Sequence, residues 1–215
     1  LQAALEGILT EAGMRPPMVA ALRDAAGRPS TRAPLVNVYP KTEGDNQYFI
    51  LSQDYDYADS GPADRAVSHV FAKGGYVYDV LEGRLLGHGQ RLDAVLDVNT
   101  VRVIAVLPYA VTALRTDAPA QTAAGQDARI PASVVAEHGP VGLHVFRVDV
   151  VDPEGTPHRA YSQNVLAPQG RADIVVPFAL NDKPGPWRVR IQDVATGAAA
   201  ALQIDLAPPA PARQP

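Results

Sequence analysis

The sequence predicts an all-β protein: two consecutive antiparallel β-sandwich domains preceded by a short N-terminal helix. Three observations lead there. Runs rich in Val, Ile, Tyr and Phe recur along most of the chain, bounded by Gly, Pro, Asn and Asp. The turn signals fall every 8 to 12 residues or so, the spacing of a sandwich of about immunoglobulin size. No stretch alternates strand and helix patterns as a parallel α/β sheet requires.

The elements follow in order. Over residues 1–12, Leu1, Leu5, Ile8, Leu9 and Ala12 recur at helical spacing, with Glu6 and Glu11 off that face. Gly13 stops this helix and Pro16-Pro17 forbids its continuation. A stripe so short must dock to be stable. Residues 18–25 read as a second weak helix or equally as a strand and turn. Strands are then expected over 35–39, 47–53, 66–71, 76–81 and 101–107. Turns are expected at 43–46, 73–75, 82–84 and 87–89. The run 101–107 is apolar apart from Arg102, which predicts a central strand covered on both faces.

In the second half, Phe146, Val148 and Val150 alternate with Arg147 and Asp149. Trp187, Val189 and Ile191 alternate with Arg188, Arg190 and Gln192, and Leu202, Ile204 and Leu206 with Gln203 and Asp205. Each is the period of a half-buried strand. The lead-in is placed at 1–29, the first sandwich at 30–110, the second at 111–207 and a Pro-rich extended tail at 208–215. The junction is expected near 108–117.

Composition excludes several functions. Net charge is −4 with scattered basic residues, so no footprint for nucleic acid exists. The absence of cysteine removes disulfides, thiolate metal sites and a cysteine nucleophile. No apolar run approaches the roughly 20 residues of a membrane span. The chain opens on Leu1 without a signal-peptide pattern, which reads as a processing site or a cut from a longer polypeptide.

Site signatures are sparse. The sequence holds no GxSxG elbow, HExxH, Walker loop or dinucleotide fingerprint. Gly87-His88-Gly89 reads as a plain turn rather than a phosphate loop. The histidines at 69, 88, 138, 144 and 158 share no metal-ligand spacing. His144 falls on the Phe146 face near a strand end and reads as a satisfied edge histidine. The densest polar cluster is Asp54, Tyr55, Asp56, Tyr57 and Asp59, followed by Asp64. A solvated loop is its plainest reading. A calcium cage built from the carboxylates and a sugar site with stacked tyrosines are the alternatives. The acids lie mainly in turns or on outward strand faces, against a paired-carboxylate glycosidase. The single Trp187 is expected to be core rather than a sugar platform. No catalytic, cofactor-binding or metal residue is therefore assigned.

Two resemblances enter here. "LEGILTEAGMRP" (5–16), "DNQYFILSQ" (45–53), "VYDVLEGRLLG" (77–87) and "VRVIAVLPY" (101–109) resemble the C-terminal β-sandwich region of beta-galactosidase-type glycoside hydrolases and their large bacterial relatives. "HVFRVDVVDPEG" (144–155) and "FALNDKPGPWRVRIQDVATG" (178–197) are similar to macroglobulin-like, immunoglobulin-like domains. The resemblance implies a non-catalytic structural or interaction module at the C-terminal end of a larger secreted, periplasmic or cell-surface carbohydrate-active protein. Its partners would be neighbouring domains or other copies of itself. A carbohydrate-binding module and an extracellular fibre or surface-layer subunit are the alternatives. The catalytic acids of such hydrolases lie in a barrel domain absent here, so none is carried over.

Overall fold

The computed structural model describes residues 11–13, 16–23, 26–28, 36–53, 65–96 and 101–209. Among them the regular elements are strands, with one 3-10 turn at Pro168–Gly170. The helix expected over 1–12 and the tail over 208–215 fall almost entirely outside the described residues, and the acidic loop wholly so. The chain divides into two compact units: residues 1–81 with 85–108, and residues 82–84 with 109–215.

The first unit holds β1 (Met18–Leu22), β2 (Val36–Glu43), β3 (Asn46–Gln53), β4 (Arg65–Asp79), β5 (Arg84–Leu96) and β6 (Val101–Leu107). All six pair within a single sheet rather than two facing ones. Its order is β1-β4-β6-β3-β2, and β5 pairs with β4. Phe49, Leu51, Phe71, Val77, Ile104 and Val106 form the core, and Leu86 and Leu92 of β5 pack onto it. One sheet buries a core of its own because its two end strands, β1 and β2, approach each other, so the sheet curls round its inner face.

Residues 18–25 resolve in favour of the strand: β1 runs antiparallel to β4 with Met18 opposite Phe71. β6 lies between β4 and β3, as its apolar run predicts, but Val101 at its start is exposed. Two expected turns are corrected. Lys73-Gly74-Gly75 lies within β4, and Gly87-His88-Gly89 within β5. At Gly75 the reason is close approach, because a Cβ there would sit 2.4 Å from the Leu107 carbonyl oxygen. This glycine admits a neighbouring backbone and does not turn the chain.

The second unit is a sandwich. One sheet runs β11 (Gln163–Ala167), β10 (His144–Val151), β13 (Gly185–Asp193), β14 (Ala199–Ala207), β8 (Gln121–Ala123). The other runs β12 (Arg171–Pro177), β9 (Asp127–Glu137), β7 (Ala110–Thr116). All pairings are antiparallel except the short β14–β8 contact, which is parallel. Phe146, Val148, Val150, Trp187, Val189, Ile191, Ile204 and Leu206 face Ile130, Ile174 and Val176 across the core. The expected alternations of β10, β13 and β14 therefore supply one inner face.

β9 carries a proline at its centre, although it is the middle strand of its sheet. Pro131 follows the last β7 pairing, Thr116 with Ala132, and its carbonyl accepts from the Asp117 N–H at 3.2 Å. A hydrogen-bonded pair would next need an N–H from position 131. Proline has none, so the β7 ladder ends there.

Candidate functional site

Of the sequence-derived candidates, Asp54, Tyr55, Asp56, Tyr57 and Asp59 lie outside the described residues. Trp187 is 2% exposed, and its indole N–H donates to the Lys183 carbonyl at 3.0 Å. It is a core residue. Among the described residues no group of three or more His, Asp or Glu is placed to hold a metal ion.

His144 needs correction. It opens β10, which is paired on both sides, and its side chain is 0% exposed, so it is an interior histidine. Its Nδ1 lies 2.8 Å from Asp193 Oδ1 and its Nε2 lies 2.9 Å from the Tyr109 hydroxyl. Asp193 Oδ2 accepts from the Thr196 hydroxyl and the Thr196 N–H, and the Gly142 N–H donates to the Tyr109 oxygen. Donors thus converge on Asp193; a carboxylate only accepts, so the tautomer that suits this network carries its proton on Nδ1. Nε2 then accepts from Tyr109. The order hydroxyl, imidazole, carboxylate is that of a nucleophilic triad. Here it is sealed: the His144 and Asp193 side chains are both wholly buried, and Tyr109 is 0% exposed. A substrate has no approach to the hydroxyl. The chain of hydrogen bonds instead ties the start of β7, the start of β10 and the end of β13 together.

A second buried histidine behaves differently. His69 on β4 is 0% exposed, and neither ring nitrogen makes a hydrogen bond of normal geometry. Burial lowers its pKa from 6.5 to about 4; the Leu92 backbone offsets part of this and the Arg102 charge adds to it. The unfolded chain binds this proton more readily than the folded one. Stability is therefore full above the unfolded value and falls as pH drops from 6.5 towards 4, by about 3 kcal/mol over the whole window. Protection factors of β4 amides, with the intrinsic pH dependence of exchange divided out, should fall over that range, and His69→Leu should flatten the dependence. An unchanged acid profile in that variant would assign the loss to other groups.

The exposed chemistry lies on the outer face of the β12-β9-β7 sheet. Because Ala128, Ile130, Ala132, Ile174, Val176 and Leu114 face the core, the intervening residues face out. Cross-strand register sets Arg115, Ser133 and Arg171 in one row. The next outward row is Asp117, Pro131 and Asp173. All but the half-buried Ser133 are exposed, and the rows line a groove of about 740 Å³.

Four Arg-x-Asp tripeptides lie on strands, one of them running a single residue past the end of β7 at Asp117, and they split into two kinds. Arg91 and Asp93 close on each other at 2.9 Å, and Arg147 and Asp149 at 2.8 Å. Arg115 with Asp117 and Arg171 with Asp173 make no such ion pair, among the described residues, and leave their charges open to the groove. Sequence reasoning missed this site. The repeated tripeptide was available as a signal, but what unites residues 115, 133 and 171 is long-range register.

No protein-family model matches the chain, and no curated protein matches it. Among solved structures, the native conformation of E. coli alpha-2-macroglobulin is similar at 12% identity and a TM-score of 0.36, covering 76% of this chain and 19% of that one. At that level the likeness decides neither fold nor function. The chain spans about a fifth of that protein. No counterpart to the glycoside-hydrolase resemblance emerges.

Proposed function

We propose that the chain is a non-catalytic structural and interaction module. The observation that carries this reading is the burial of Tyr109, His144 and Asp193. The one hydroxyl–imidazole–carboxylate set described above is placed as a tie between strands. A hydrolase needs its nucleophile and base beside a cleft that holds substrate. Charged groups free to meet a partner stand instead on the outside of the β12-β9-β7 sheet. Attachment to a larger secreted or periplasmic protein remains part of the proposal, and its carbohydrate-active character rests on the residue resemblance alone.

The purified chain is expected to hydrolyse aryl-glycoside, ester and peptide substrates at the background rate. Turnover abolished by Tyr109→Phe, with the fold retained, would overturn the reading.

A further inference from the structure

The open charges of the β12-β9-β7 face are self-complementary, and we propose that this face pairs with the same face of a second copy of the chain. The inference rests on the interaction-module reading and names its partner.

The geometry begins with two rows. Arg115, Ser133 and Arg171 form a cationic row, and Asp117, Pro131 and Asp173 form an anionic one. Residues two apart on a strand lie about 6.7 Å apart on one face, and neighbouring strands about 4.8 Å apart. A twofold axis lying in the interface, parallel to the rows and midway between them, keeps each strand over its own counterpart and exchanges the rows. Arg115 then stands over Asp117 of the other copy and Arg171 over Asp173. The reverse pairs form at the same time. Four ion pairs result from one rotation, the isologous arrangement of a symmetric dimer.

Three features favour this occupant. The arginines are not neutralised by their own aspartates, unlike Arg91 and Arg147. The two rows balance in charge, which disfavours a polyanion or a polycation as the ligand. The groove leaves room for long guanidinium arms reaching across from the facing copy. Each exposed pair is weak and screened by salt, so the association is of the weak, reversible kind.

Sedimentation equilibrium of the full chain at low ionic strength, in a series approaching millimolar, tests this. The weight-average mass should rise from 22.8 kDa towards twice that value. Raising salt to about 0.5 M should weaken association roughly tenfold or more. R115D/R171D makes both rows acidic, and D117R/D173R makes both rows basic; the Arg129–Asp127 pair farther along β9 is unchanged in each. Each variant alone should stay monomeric, while an equimolar mixture should form a heterodimer. Melting curves and tryptophan emission verify that both are folded.

Should either variant fail to fold, R115K/R171K keeps the charge and offers amines for carbodiimide coupling. In a mixture of isotope-labelled and unlabelled chains, cross-links from positions 115 and 171 to Asp117 and Asp173 should join different copies. A wild-type chain monomeric throughout, a dimer that persists in both charge variants, or cross-links confined to single chains would each overturn the proposal. Those results leave the substrate assays untouched, so failure of this face is separable from failure of the non-catalytic reading.

Discussion

Trp187→Ala should destabilise the second unit by about 3–5 kcal/mol, the usual cost of emptying a large aromatic site in a core. The indole occupies the centre of a ring cluster, with centroids of Phe178, His158 and Tyr161 at 5.1, 5.4 and 5.9 Å. Truncation removes those contacts and strands the Lys183 carbonyl that the indole N–H satisfies. Urea unfolding followed by far-UV circular dichroism measures the change. In the native protein, emission from Trp187 should be blue-shifted and poorly quenched by acrylamide. Since Trp187 is the sole tryptophan, its emission reports the second unit alone. A loss below about 1 kcal/mol would mean that the cluster collapses around the gap.

Asp193→Ala should cost a similar amount, about 3–5 kcal/mol, because it leaves several buried donors without an acceptor. The His144 Nδ1, the Thr196 hydroxyl and the Thr196 N–H all address that carboxylate. Thr196→Val removes one donor and leaves the other two in place, so it should cost only about 1 kcal/mol. The two variants, compared by the tryptophan signal, separate the carboxylate's role from that of one neighbour. Equal losses would show that the turn, and not the buried chain of hydrogen bonds, sets the stability.

Much of the second unit was legible because its inner strands obey period two with large side chains. Phe146-Val148-Val150 and Trp187-Val189-Ile191 each announce a buried face, and the structure buries all six. β9 escaped notice because its inward set begins Ala128, Ile130, Ala132, with small side chains and a proline between them. β4 was split and β5 missed because paired or closely spaced glycines mimic turn chemistry when their true neighbour is a strand distant in sequence. His144 was legible as satisfied but not as interior, since its partners Tyr109 and Asp193 lie 35 and 49 residues away. The groove was invisible for the same reason. An Arg-x-Asp tripeptide does not disclose whether it closes on itself, and only cross-strand register distinguishes residue 115 from residue 91.

The strand order of the first unit has a kinetic consequence. β6 is central, yet it is the last strand of its unit in sequence, and it joins β3 on one side to β4 on the other. The β2–β3 pair, joined by the tight turn at 44–45, can close early. Its hydrogen-bonded ladder cannot continue into the β1–β4–β5 group until residues 101–107 arrive between β3 and β4. During synthesis, which proceeds from the N-terminus at about 5–20 residues per second, two partial sheets must wait with open ladders and apolar faces such as Phe49-Leu51 and Phe71-Val77 uncovered. Folding of this unit is then gated by its final strand. A nascent chain halted before residue 101 is the form most prone to misassociate.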